Sequence, residues 1–537
     1  MTVGAAVPEV DASEDHVTEK VLVVHGHFYQ PPREFPGTDD LPIEPTASPW
    51  HDWNARINAE CYHPNTAASV LDAQGRILQL VSNFEHLSFN VGPTLLSWMQ
   101  RHAPVTYQRI IAAGRAGRGA IAQGFNHCIL PLCNERDKQT QVRWGLADFR
   151  HRFGFESEGF WLPECAVDDA TLRILTNEGV RFTVLAPYQI DPPGSGVARW
   201  KGGDIALVSY DGGLSSDLAF GGGSMTSEAL IDRVVASPQP IVVVATDGET
   251  FGHHHHFADR MLAHALTDAA AARGVRVANA ADVVFQITTS PTTMKAVAAR
   301  ESSWSCAHGV ERWRSDCGCS GGRGVGWHQR WRGPLRDALD VLRDAAADIF
   351  ERRGAPLVVD ADPWAVRDAY VDVVIGATPW VEFASLHAVK QPEIMHPLLE
   401  AQRAAMAMYT SCGWFFDDIA GVEARIVLRW ANALVQHLRS IDERLPEDRF
   451  VEILTKAQGN AGLDGNDVWT EVQGEAPPIA AGDDRRPWAP TINPRDIAVA
   501  SVIRMLNEPG AIPDDTELAA ISRELGISPA ALTRSIV

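Results

Sequence analysis

Ile241-Val242-Val243-Val244-Ala245 is an apolar run with no polar alternation, and it stops at Thr246-Asp247-Gly248-Glu249. A strand buried on both faces reads this way, and such strands belong to parallel sheets covered by helices. The pattern recurs upstream. Val21–Val24 runs into His25-Gly26-His27, Ile77–Val81 into Asn83 and Glu85, and Gly159–Leu162 into Pro163-Glu164. Ala120–Gln123, Phe182–Ala186 and Ile205–Ser209 are further runs of the same kind. Between them lie helical stretches at Pro93–Gly114, Glu135–Phe153, Asp168–Gly179, Ser227–Ala236 and Phe257–Gly274. Strand followed by helix, repeated, predicts an α/β fold with a parallel sheet, closed as a barrel or open.

Beyond Gln286 the strand-like runs fade. Ser302 to Arg332 is rich in Trp, Cys and Gly, and helices are predicted at Pro334–Gly354, Pro363–Gly376, Pro392–Tyr409, Gly421–Ile441 and Glu447–Gln458. The predicted organisation is therefore a flexible tail over 1–19 and a catalytic barrel over 20–290. A Cys/Trp-rich loop with a helical domain follows over 291–458, then a linker or long loop over 459–494 rich in Gly, Pro and Asp. A small helical segment over 495–537 ends the chain. Its helix-turn-helix pattern, Ile521–Leu525 then Pro529–Ser535, carries only Arg523 and Arg534, too few cations for a phosphate footprint.

Composition narrows the function. With 47 basic against 68 acidic residues, the net charge of −21 argues against nucleic-acid or anionic-membrane partners. A hydrophobic content of 45% supplies a core and rules out wholesale disorder. The acidic stretch Glu9–Glu19 lacks the basic and apolar regions of an export signal, and no apolar run is long enough to span a membrane. A cytoplasmic location is expected. The eight cysteines are then read as thiols or metal ligands.

In a parallel barrel, reactive side chains stand where strands end. His25, His27 and Gln30, Glu85, Glu164, Asp247, Glu249 and His253 all follow apolar runs. Glu164 and Asp247 suit glycosidic cleavage, one attacking the sugar and one donating a proton to the leaving oxygen. That chemistry calls for no cofactor. A second reading pairs His25 or His27 with Asp247 and His253 as metal ligands, as a metal-dependent polysaccharide deacetylase requires. A third is a non-catalytic glycan-binding or regulatory protein on the same barrel. Cys306, His308, Cys317 and Cys319 form a Cys-x-His, Cys-x-Cys set of zinc-ligand type, although the one-residue spacings are tighter than usual; the alternative is that they pack as small core residues. Arg312 lies in the same loop.

Gly159-Phe160-Trp161-Leu162-Pro163-Glu164-Cys165-Ala166 resembles the nucleophile motif of glycoside hydrolase family 57. Asp247-Gly248-Glu249-Thr250-Phe251-Gly252-His253 is similar to its general-acid motif. His25-Gly26-His27 with Gln30-Pro31, Asn83-Phe84-Glu85-His86, and Ser411–Asp418 with Glu423 resemble three further motifs. The resemblance implies a distorted seven-stranded (β/α) barrel followed by a helical bundle that closes the cleft, and retaining action on α-glucans by hydrolysis or transglycosylation. It makes Glu164 the nucleophile and Asp247 the acid/base, with an oligo- or polysaccharide as substrate. His25, His27 and Glu85 would hold the sugar and orient the nucleophile, and donors or positive charge on His25 and His27 would keep Glu164 ionised. Gln30, Trp161, His253, Trp414, Asp417 and Asp418 complete the expected substrate-binding set, with Trp414–Asp418 lining the same cleft. Where many members continue the acid motif with a Trp pair, this chain has His254-His255-His256, which leaves the substrate class open.

Overall fold

The computed structural model describes residues 19–289, 294–322, 324–359 and 362–475. Seven parallel strands form a distorted barrel: β1 (Lys20–Phe28), β2 (Ser88–Val91), β3 (Ala122–Gln123), β4 (Phe160–Trp161), β5 (Phe182–Leu185), β6 (Ala206–Ser209) and β7 (Ile241–Asp247). The longest strands are the Val-rich ones, β1 and β7, and they pair along their whole length, Val21 opposite Ile241 through His27 opposite Asp247. On its other side β1 pairs with β2, setting His25 opposite Ser88 and His27 opposite Asn90. Single bridges, Phe89 to Ala120 and Gly159 to Phe182, continue the order into β3 and from β4 to β5. β3 pairs with β4 and β5 with β6. The ring closes at its weakest seam, where the Asp211 N–H donates to the Val243 carbonyl at 2.7 Å.

Two parts of the sequence reading change. Ile77–Val81 is not a barrel strand. It pairs antiparallel with Ala68–Leu71 in a hairpin, and four of its five residues are exposed. The barrel strand is the next one, Ser-Phe-Asn-Val, whose inward Ser88 and Asn90 disguise it as a polar segment. The first domain also runs past residue 290. Ala296–Ala299 adds to the strand Gly196–Trp200, which itself pairs with β6, and Ser302 bridges back to Val167.

The helices mostly fall where periodicity put them. Glu135–Phe153 and Ser227–Ala236 match to the residue; the first starts at Asn134, whose side chain accepts from the Asp137 N–H. The predicted Pro93–Gly114 helix is two helices, broken at Ala103 before Pro104. The second unit is helical: α1 (Arg332–Gly354), α2 (Pro392–Ala407), α3 (Val422–Arg439), α4 (Glu447–Leu454) and α5 (Gly465–Glu475). Helix α2 packs on α3, and α1 on α4. Helix α5 packs on α3, so the predicted linker over 459–494 contains a helix. Residues 476–494 of that linker, the segment 495–537 and all but the last residue of the tail 1–19 lie outside the described residues. One apolar core runs without a break from Val21–Val24 through Trp161 to Trp414 and Leu434. Among the described residues no helix is long and apolar enough to cross a membrane.

Gly248 shows how tightly the strand ends are packed. A Cβ there would stand 2.2 Å from Cε1 of Phe28, at the end of the neighbouring strand. Gly248→Ala should therefore lower stability by about 1–3 kcal/mol, the usual cost of overpacking. In a Phe28→Leu background the cost should shrink, as read by denaturant titration. An equal cost in both backgrounds would assign the glycine requirement to another contact.

Candidate active site

Glu164 follows β4 on a short turn, and it and Cys165 have left-handed backbones at φ 58° and 47°. Two successive non-glycine residues in that region cost about 1–2 kcal/mol each, so the surroundings must hold them. The Cys165 N–H donates to the Leu162 carbonyl at 2.7 Å, and Gln189 Nε2 to the Cys165 carbonyl at 2.6 Å. The Trp304 N–H donates to the Glu164 carbonyl at 2.9 Å. The strained turn lifts the carboxylate to meet two donors on one oxygen: Trp304 Nε1 at 3.1 Å and Ser305 Oγ at 2.5 Å. Burial raises the Glu164 pKa, while Ser305, the Arg312 charge and Trp304 pull it back down.

Asp247 ends β7 and opens outward. Here every influence acts in one direction. Desolvation by the surrounding protein, then the charges of Glu249 and Glu164, push its pKa well above the ordinary carboxylate range. Glu249 is buried, accepts from Tyr62 OH at 2.5 Å and from the Tyr29 N–H at 3.3 Å, and is lifted by burial to about 7.

Between the two strand ends lies a stack of neutral rings. Trp161 is fully buried and lies flat against His25 (4.9 Å between centroids) and His27 (4.8 Å), with its edge toward Trp304. Asn90 Nδ2 donates to His27 Nδ1 at 2.9 Å, which leaves the His27 proton on Nε2. That proton goes to His127 Nε2 at 3.1 Å, and His127 Nδ1–H in turn donates to Ser411 Oγ at 2.7 Å. His25 Nε2 donates to Asn90 Oδ1 at 3.0 Å, and its Nδ1 accepts from Ser88 Oγ at 3.1 Å. Burial lowers His25 to about 4, His27 to about 3, and His127 well below the ordinary value. The histidines therefore place no positive charge near Glu164, contrary to the sequence expectation. Trp304, Ser305 and Arg312 take that role.

Other expected site residues are placed elsewhere. Glu85 is exposed on a turn that precedes β2, at the opposite end of the barrel from Glu164. Gln30 accepts from Arg33 Nη2 at 2.9 Å and so helps set that arginine against Glu44. His253 turns to Glu60, with Nδ1 at 2.5 Å from Oε2, and the histidine run is an irregular turn preceding the helix that starts at Ala258. Trp414 is sealed in the helical core, its Nε1 donating to the Arg332 carbonyl at 3.1 Å, and cannot stack on a sugar. Asp417 accepts the Gly321 N–H at 2.8 Å, and Asp418 accepts from Ala420 and Ala461, both at 2.8 Å; they tie loops together. The segment does reach the site through its first residues, Ser411 by way of His127 and Cys412 beside Tyr29. The deacetylase ligand set is not assembled either, because both ring nitrogens of His25 and of His27 are committed to protein partners.

His127, Asn90, Trp304 and Ser305 are the residues the sequence does not reveal, while Arg312, named there with its loop, does act on Glu164. Tyr188 was missed too; its half-exposed ring donates its OH to the Ser303 carbonyl at 2.9 Å, beside the loop that holds Glu164.

The distorted seven-stranded barrel thus carries a strained, hydrogen-bonded glutamate after one strand and an aspartate of raised pKa at the end of another. Residues 45–289 match the model for glycosyl hydrolase family 57. Residues 327–475 match a domain of unknown function, DUF3536. Curated relatives include a 4-alpha-glucanotransferase of Thermococcus litoralis, 24% identical over 33% of this chain. Another is an alpha-amylase of Pyrococcus horikoshii, 22% identical over 31% of this chain. The match spans 28% of the length of each of these relatives. The fold is similar to that of an exo-type maltose-forming amylase from Pyrococcus sp. ST04, with a TM-score of 0.63, 15% identity, and 84% and 88% of the two chains covered. It also resembles a branching enzyme of this family from Pyrococcus horikoshii, with a TM-score of 0.50, 14% identity, and 88% and 100% covered.

The buried histidines make an acid-sensitive core. Their folded pKa values lie below the unfolded value near 6.5, so the stability they confer is present above that pH and is lost as pH falls toward their folded values. The effect is of order 3–5 kcal/mol per ring. His27→Gln should flatten the fall in stability between pH 6.5 and 4, whatever it does at pH 7. The check is a denaturant series across that range, and an unchanged slope would mean that His27 does not stay neutral in the fold.

Proposed function

We propose that this chain is a retaining enzyme that cleaves or transfers α-glucan or related α-glycosidic bonds, with Glu164 as nucleophile and Asp247 as acid/base. The observation that carries the reading is the asymmetry of the pair. Glu164 has donors and a cation that favour its ionised form, whereas every influence on Asp247 favours the protonated one. Burial raises both carboxyls, but only Glu164 has neighbours that oppose the rise, and carboxyls held apart in this way suit divided acid and nucleophile roles.

The chemistry follows from those charges. Glu164 attacks the anomeric carbon while Asp247 gives its proton to the leaving oxygen. Forming the glycosyl ester removes the negative charge of Glu164, one of the influences that hold the Asp247 pKa up. Asp247, now a carboxylate, takes a proton from the incoming water or sugar hydroxyl, which displaces Glu164 and completes retention. Water gives hydrolysis and a sugar hydroxyl gives transfer. Tyr188, on the rim, is the aromatic face best placed to support a sugar ring. The substrate is an oligo- or polysaccharide, not a nucleic acid, in keeping with the net charge of −21. A cytoplasmic setting accords with eight free thiols.

Incubation with maltooligosaccharides, reading chain-length redistribution, tests the activity and separates an enzyme from a glycan binder. Glu164→Gln should abolish turnover. Asp247→Asn should slow substrates with poor leaving groups by about 10²–10⁴-fold and activated aryl glycosides far less. Azide should partly rescue the Asp247 variant with retention and should not restore retaining turnover to the Glu164 variant, and the reverse pattern would exchange the two roles. A separate expectation concerns Arg312. Its charge lowers the Glu164 pKa, so Arg312→Met should move the acid limb of kcat/KM to higher pH by roughly one unit. An unmoved limb would show that the arginine does not act on the nucleophile.

A further inference from the structure

We propose that Cys306, His308, Cys317 and Cys319 hold a structural zinc ion that fixes the loop carrying the hydrogen-bond donors of Glu164. The four side chains come from two arms of one loop, and their ligand atoms all lie within 4.8 Å of one another. Cys306 Sγ is 3.9 Å from Cys317 Sγ and 3.8 Å from Cys319 Sγ, and Cys319 Sγ is 3.6 Å from His308 Nδ1. A tetrahedron with zinc–sulfur bonds of about 2.3 Å and a zinc–nitrogen bond of about 2.0–2.1 Å has sulfur–sulfur edges of about 3.8 Å and sulfur–nitrogen edges of about 3.6 Å. The three contacts therefore have the lengths of tetrahedral edges. They are far too long for a disulfide, whose sulfurs stand about 2.05 Å apart.

Packing as small apolar residues does not account for the cluster. Only Cys306 is buried; Cys317 and Cys319 are half-buried and His308 is exposed. Nothing in apolar packing brings an imidazole nitrogen to a thiol near the surface. The tight spacing that sequence counts against zinc is resolved by Gly318, which at φ 81° turns the chain between Cys317 and Cys319.

The loop needs such a brace. Between Ala299 and Arg332, the described residues hold one three-residue turn of helix, Glu311–Trp313, and no strand. Yet this stretch must place three groups on Glu164. Trp304 and Ser305 immediately precede ligand Cys306, and Arg312 lies between the two arms. The far arm is anchored as well: Arg332 Nη1 donates to the Cys319 carbonyl at 2.9 Å, and the Gly321 N–H to Asp417. Zinc would bind with release of the three thiol protons, without oxidant or reductant, and would cross-link the two arms of the loop.

The test is metal analysis of the full chain purified without a histidine tag. One zinc per chain is expected, lost in Cys317→Ser/Cys319→Ser and kept in His254→Gln/His255→Gln, which controls for the histidine run. Cobalt substitution should give a thiolate-to-cobalt charge-transfer band and the intense visible absorption of a tetrahedral site. Chelation should lower Tm. Should the serine variant fail to fold, the wild-type metal content and cobalt spectrum still decide. Zinc well short of one per chain after growth in zinc-supplemented medium, no cobalt–thiolate band, or a Cys306 disulfide found by mass spectrometry would each overturn the proposal. These readouts do not depend on glycosidase activity, so they stand or fall apart from the proposed reaction.

Discussion

Trp304 and Ser305, neighbours on one loop, converge on a single oxygen of Glu164 across 140 and 141 residues of sequence. Much of the site depends on that convergence. This carboxylate is raised in pKa by burial, and the two donors pull it back toward its charged form. It is also lifted by a turn with two left-handed residues, which persists only where the surroundings over-determine it. The loop satisfies both demands, since the Trp304 backbone N–H holds the turn and its indole N–H holds the side chain.

The barrel sets the other half of the geometry. Because β1 and β7 pair in register, His27 and Asp247 stand opposite each other, and pairing of β1 with β2 sets Asn90 beside His27. From Asn90 the hydrogen bonds run through His27 and His127 to Ser411, on the helical side of the molecule. The route is uncharged throughout, because burial keeps its histidines neutral. It also means that the barrel and the helical unit share one polar network as well as one apolar core.

The parts legible in sequence are those where one segment carries its own signal. Val21–Val24 and Ile241–Ala245 declare buried strands, and Glu164 and Asp247 follow the strands they were expected to follow. Reading failed where polarity had a structural purpose. Ser88 and Asn90 make β2 look unlike a strand because they face inward to hold histidines, and the apolar run at Ile77–Val81 reads as the strand instead. Asp417 and Asp418 looked like sugar ligands because they are acids in a polar run, but loop N–H groups occupy them. His127 could not be found at all. Its partners are 100 residues before it and 284 after it, and only the fold brings them together.

The central claim is that Glu164 forms a covalent bond to the sugar. The direct measurement is intact-protein and peptide mass spectrometry of Asp247→Asn after incubation with an α-maltosyl fluoride. Fluoride leaves without a proton, so the first step proceeds, while loss of the base stalls the second and the intermediate accumulates. The account predicts a mass increase of one glycosyl unit, carried on the peptide containing Glu164. A glycosyl unit on Glu249, or fluoride release with inverted product and no adduct, would contradict it.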